Sequence, residues 1–130
     1  MKKIFINGSS GKMGQAVSDN LKKHNFVETN RIMDCDVVID FSHPDSANEI
    51  INKCVLNDKP LIIGTTGLSD EHFKVINKAC RAIPIVYTSN FSNGILNLKK
   101  SISDFLCNSN KEYHCEIVEV HHNQKKDFPS

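Results

Sequence analysis

Tryptophan is absent, tyrosine occurs twice, and aromatic residues make up only 7% of the 130 positions. With lysines scattered in pairs instead of gathered in a stripe, nothing points to nucleic acid. Charge imbalance is missing too. The 16 basic and 15 acidic residues leave a formal charge of +1, so the long-range field is weak and favours neither a polyanion nor an anionic membrane. Five cysteines, Cys35, Cys54, Cys80, Cys107 and Cys115, form an odd set with irregular gaps and no CxxC. That argues against a disulfide framework and a zinc ribbon, and predicts reduced, mostly buried thiols. Adjacent histidines seldom both point at one ion, so His114, Cys115, His121 and His122 offer at most three ligands with no other group at useful spacing, and no metal is expected. No apolar run approaches membrane-spanning length, and the isoleucine-rich start ends at Asn7 and Gly8, short of a signal sequence's core. A soluble, cytoplasmic protein is the expectation.

What is present is apolar material for one core, 39% of the chain. Lys3 to Asn7 is an isoleucine-rich run closed by glycine, which suits a buried parallel strand. Met13, Ala16, Val17 and Leu21 then fall at helical spacing, predicting a helix from 13 to about 24. Asp36 to Phe41 is a β-branched strand, and Pro44 opens a helix to about Asn57, where a first-turn proline has no hydrogen bond to lose. Further strands are predicted at 61–64, 83–88 and 113–120, with helices at 70–81 and 93–107 between them. Strand and helix alternate throughout. That alternation predicts an α/β fold, a Rossmann-like doubly wound parallel sheet, with ligands beyond the carboxyl ends of the strands at loops 8–14, 42–45, 64–69 and 88–94. Only about eleven residues separate the first helix from Asp36, too few for a further strand with its crossover, so Glu28 reads as a surface glutamate of a linker.

Gly8-Ser9-Ser10-Gly11-Lys12-Met13-Gly14 sits between a predicted strand and a predicted helix, the setting of a dinucleotide turn. Gly8 would turn the chain, Gly11 would admit a pyrophosphate to the backbone, and Gly14 would let helix and sheet pack closely. Free N–H groups at the helix start would face the phosphates. Ser10 stands where the middle glycine of GxGxxG belongs. A P-loop fits less well, because Met13 replaces its magnesium-binding hydroxyl and Ile6 its first glycine. A plain chain reversal is the remaining alternative.

Past Val120 come His121, His122, Asn123, Gln124, Lys125 and Lys126. Histidine and lysine at a strand's carboxyl edge suit proton transfer beside a hydride acceptor, although the segment alone also reads as an exposed polar loop. Gly64-Thr65-Thr66-Gly67 and Ser89-Asn90-Phe91-Ser92 offer hydroxyl, amide and aromatic groups at strand ends, each by itself generic turn chemistry.

Five blocks occur in order along the chain: Gly8 to Gly14, Asp36 to Ser42, Ile63 to Gly67, Ser89 to Ser92, and Glu116 to His122 with Lys125, Asp127, Pro129 and Ser130. Together they resemble the dihydrodipicolinate reductases. The resemblance implies that Gly8, Ser9, Ser10, Gly11, Lys12, Met13, Gly64, Thr65, Thr66, Ser89, Asn90 and Phe91 contact NADH or NADPH. It makes His121 and Lys125 the proton-transfer pair and His122 a substrate contact. The implied reaction is hydride transfer to a cyclic dicarboxylate, 4-hydroxy-tetrahydrodipicolinate, in lysine and diaminopimelate biosynthesis. It further implies that residues 1–120 form the dinucleotide-binding domain and 121–130 begin the catalytic segment. By the same resemblance the C-terminal substrate domain, through which such proteins would form homo-oligomers, is expected to be absent from these residues. Asn123 and Gln124 depart from the family's usual basic or aromatic residues. These 130 residues are expected to be inactive alone, and a non-catalytic nucleotide-binding module or an inert fragment is the competing reading. Another reductase of the same fold, such as a homoserine or semialdehyde dehydrogenase, would leave the His-His and Lys125 segment unexplained.

Overall fold

The computed structural model of the chain describes residues 1–108, 114–116, 118 and 120. It divides into two compact units, Met1–Ser89 and a second beginning at Asn90. The first holds a five-stranded, all-parallel sheet of β1 (Lys3–Asn7), β2 (Val27–Thr29), β3 (Val37–Asp40), β4 (Leu61–Ile63) and β5 (Ile85–Tyr87), in the order β2-β1-β3-β4-β5. Helices α1 (Lys12–Lys23), α2 (Pro44–Leu56) and α3 (Asp70–Ala79) connect the strands, and α4 (Asn93–Asn108) lies in the second unit. Among the described residues no helix is long and apolar enough to cross a membrane.

Register sorts the strand residues onto two faces. Phe5, Val38, Leu61 and Ile85 share one row, and they pack with Ile50, Ile51 and Cys54 of α2 and Ile76 and Ala79 of α3. Ile6, Ile39, Ile62 and Val86 share the opposite row, from 5% exposed at Ile6 to 56% at Val86. The step from β1 to β2 runs opposite to the steps from β3 to β5, so right-handed crossovers put α1 on this second face. Local chemistry sets the helix starts: His43 caps α2 by accepting from the Asp45 N–H, Pro44 opens the first turn, and Ser69 with His72 forms a capping box on α3.

Three expectations need correction. A strand does form after the first helix: Val27–Thr29 pairs with β1, Lys3 against Val27. It fits because β2 and β3 flank β1, so their link spans two strand spacings, roughly 10 Å, and needs no helix. A single 3-10 turn, Ile32–Asp34, makes that crossing with Ile32 packed on the core. The expected strand at 113–120 is not seen at 114–116, 118 or 120; positions 113, 117 and 119 lie outside the described residues. The thiols are mostly exposed, since only Cys35 and Cys54 are buried. Cys80, Cys107 and Cys115 lie outside the sheet's core because their segments present them to water.

Candidate cofactor site

All strands being parallel, the carboxyl ends of β1, β3 and β4 meet at one edge. Three loops leave that edge: Gly8 to Gly11, Phe41 to His43, and Gly64 to Thr66. Gly8 adopts φ +82, a left-handed conformation costly for other residues, and a Cβ there would stand 2.5 Å from the Phe41 carbonyl oxygen. Phe41 also fills the space beside Gly64, where an added Cβ would overlap its ring. One residue, Phe41, therefore accounts for two glycines, through its backbone at Gly8 and its ring at Gly64.

The other glycines of the turn divide differently. A Cβ on Gly14 would stand 2.7 Å from the Ser9 Cα and overlap the Gly8 carbonyl oxygen, so Gly14 makes room for the turn itself and not for the sheet as its sequence position suggests. At Gly11 a Cβ would meet only the Gly8 oxygen, at 3.3 Å, which a shift of tenths of an ångström relieves. Crowding within the chain does not demand a glycine there. Gly11 is the N-cap of α1, contributes no side-chain cap, and donates its N–H to the Gly8 oxygen at 3.0 Å. The following N–H groups, those of the first turn, have no helical partners by geometry and carry the positive end of the helix dipole. No acidic side chain occupies that turn.

Beneath the turn runs a hydrogen-bond network that sequence reasoning missed. Asp40, at 0% exposure, ends β3. Its Oδ1 accepts from Asn7 Nδ2 at 2.8 Å and from Ser42 Oγ at 2.5 Å, and its Oδ2 accepts from Thr65 Oγ1 at 2.9 Å. Thr65, 2% exposed, also accepts from the Ser42 N–H at 3.1 Å. Its hydroxyl is thus engaged inside the protein, and the part of Thr65 left for a ligand is backbone.

A cleft of about 740 Å³ opens beside the turn, lined by Phe5, Ile6, Asn7, Gly8 and Ser9 on one side and Glu28, Thr29 and Asn30 on the other. Glu28, read from sequence as a linker residue, lies in β2 and accepts a hydrogen bond from Ser18 Oγ of α1. Its acidic character at the end of a second strand was the available signal, outweighed by the shortness of the segment.

Of the expected site residues, Gly8 to Lys12, Gly64 and Thr65 come together at this edge. Met13 is half exposed and its side chain lines a separate apolar groove with Val17, Leu21 and Phe26. Ser89 closes the first unit, and Asn90 begins the second, where its Oδ1 accepts from the Ser92 N–H at 2.8 Å ahead of α4. His121, His122 and Lys125 lie outside the described residues.

Residues 27–91, half of the chain, match the family described as dihydrodipicolinate reductase, N-terminus. The glycine turn precedes that stretch, but alignments to curated relatives reach it. The chain is 36% identical over 144 positions to a 4-hydroxy-tetrahydrodipicolinate reductase of Rickettsia rickettsii (strain Sheila Smith), covering all of this chain and 60% of the relative. It is 42% identical over 121 positions to one of Blochmanniella floridana, covering 93% of this chain and 42% of the relative. One of Campylobacter curvus (strain 525.92) is 36% identical over 153 positions, covering 100% and 60%. The chain therefore spans at most about 60% of the length of these relatives.

Proposed function

The chain belongs to the dihydrodipicolinate reductase family, and on that premise we propose that it is the cofactor-binding part of an NADH- or NADPH-dependent 4-hydroxy-tetrahydrodipicolinate reductase of lysine and diaminopimelate biosynthesis. The observation that carries the reading is Gly11. Its missing side chain is not required by neighbours, and it leaves the helix N-terminus open to a close-lying anion.

The pyrophosphate would rest on the backbone of Ser9 to Met13, with the Lys12 ammonium adding charge. Glu28 would accept from the adenosine ribose hydroxyls across the cleft. Backbone groups of Gly64, Thr65 and Thr66, with Ser89, Asn90 and Phe91, would hold the nicotinamide half. Bound NADH or NADPH supplies the hydride. His121 or Lys125 would deliver the proton, and His122 would contact the cyclic dicarboxylate, with Lys125 also stabilising negative charge that develops on it. Residues 1–120 serve as the dinucleotide-binding domain in this reading and 121–130 as the start of the catalytic segment. The rest of the substrate pocket, and contacts forming a homo-oligomer, would come from outside these 130 residues, which by themselves would then not turn over substrate. The compartment we assign is the cytoplasm.

Titration calorimetry tests the binding claim. NADH or NADPH is expected to bind the folded chain, and Gly11→Asp to weaken binding by about 100-fold by facing the pyrophosphate with a carboxylate. A folded wild-type chain that takes up neither cofactor contradicts it. A reductase assay with and without a supplied C-terminal half separates the enzyme reading, which predicts turnover only in the mixture, from a non-catalytic module, which predicts none.

A further inference from the structure

We propose that Asp40 is a positioning residue of the cofactor cradle, its buried carboxylate fixing the Gly8 turn and the Thr65 loop at the spacing one dinucleotide needs. The proposal rests on the dinucleotide reading of the site. The β1, β3 and β4 ladder pairs residues as far as Asn7, Asp40 and Ile63. Its last backbone bonds run from the Phe41 N–H to the Asn7 oxygen at 3.0 Å and from the Gly64 N–H to the Asp40 oxygen at 2.8 Å, so past Phe41 and Gly64 the ladder no longer sets the distances between the loops. Asp40 takes over at that point. One carboxylate binds a side chain from each of three segments: Asn7 before the glycine turn, Ser42 before α2, and Thr65 after β4.

The network is closed on itself. Thr65 Oγ1 donates to Asp40 and accepts from the Ser42 N–H; Ser42 Oγ donates to Asp40, accepts from Asn7 Nδ2 at 3.0 Å, and lies 2.8 Å from Ser46 Oγ. Among the described residues no buried side-chain polar atom lacks a partner. Asp40, wholly buried, therefore meets no ligand and works through the loops it ties. Stability alone gives a poor reason for a carboxylate here. Desolvating it is costly, and a well-packed apolar residue often serves folding as well, whereas a carboxylate with directional partners fixes one arrangement. The adenosine side of the cleft, Glu28 to Asn30, receives none of these bonds. Asp40 should therefore govern how the two halves of the dinucleotide are bridged and not the hold on adenosine.

The test is Asp40→Asn, which sets an amide N–H2 against either Asn7 Nδ2 or the Thr65 hydroxyl. At a temperature where circular dichroism shows the full-length variant folded, NADH affinity is expected to fall about tenfold, the scale of one charge-assisted hydrogen bond, while 5′-AMP affinity stays within about twofold. Adding Asn7→Asp restores a donor facing an acceptor and should recover most of the NADH affinity. If Asp40→Asn does not fold, Ser42→Ala, which removes one arm, is read by the same two ligands. Equal NADH affinity in the folded variant, or a parallel loss of NADH and AMP, overturns the positioning role and leaves the dinucleotide reading standing. A folded wild-type chain that binds neither NADH nor NADPH overturns both.

Discussion

Residues 1–89 and helix α4 carry amphipathic patterns of similar quality, yet they end up differently. Helix α2 buries Ala47, Ile50, Ile51 and Cys54, and α3 buries Ile76 and Ala79. Helix α4 buries none of its residues, and Ile95, Leu98, Phe105 and Leu106 on its apolar stripe are exposed. A 3.6-residue period is enough to form a helix; burial also requires a partner surface. The cradle proposed for the pyrophosphate lies wholly within the first region. The residues proposed for proton transfer follow the second in sequence, so the proposed binding and the proposed turnover can be tested separately.

The thiols should show this contrast most strongly. Cys54 is fully buried and Cys35 nearly so, while Cys107 and Cys115 on the other side of Ser89 are exposed, as is Cys80. An aromatic disulfide reagent in native buffer should modify three thiols quickly and two about 1000-fold or more slowly, because a buried thiol reacts only after opening. Five similar rates would erase the distinction. Next in size is Ile51→Ala, expected to cost about 3 to 4 kcal/mol in urea unfolding through the cavity it leaves.

Alkali sharpens the comparison from another side. Burial first, then the neighbouring Cys35 and Asp40, push the Cys54 thiol up from an ordinary 9.0 to about 12. The folded chain therefore keeps a proton that the unfolded chain releases. Its stabilising effect is complete below pH 9 and is lost as pH rises toward 12. Unfolding midpoints measured across that window should fall for the wild type and fall less for Cys54→Val. The smallest effect belongs to Leu98→Ala, expected within about 0.5 kcal/mol of wild type. A loss as large as that of Ile51→Ala would mean that the apolar face of α4 is covered in solution.

Much of the fold was legible because long apolar runs and 3.6-residue periods are local signals. The bounds of α1, α2, α3 and α4 fall within about two residues of the periodic segments. Strand β2 escaped because Val27, Glu28 and Thr29 form a three-residue edge strand with two exposed members and no apolar run to mark it. In the site, the glycines were visible but their reasons were not. Gly8 and Gly64 are shaped by Phe41, which stands 33 positions after one and 23 before the other. Asp40 reads locally as the polar end of a strand; its importance comes from partners at Asn7 and Thr65 that no nearby pattern encodes.

The central claim is that the glycine turn seats a dinucleotide, and amide NMR of the isotopically labelled chain under NADH or NADPH titration tests it most directly. The account predicts saturable shifts concentrated at Ser9 to Gly14, Glu28 to Asn30 and Thr65 to Thr66. Shifts confined to the apolar groove of Val17, Leu21 and Phe26, or none in a folded chain, would contradict it.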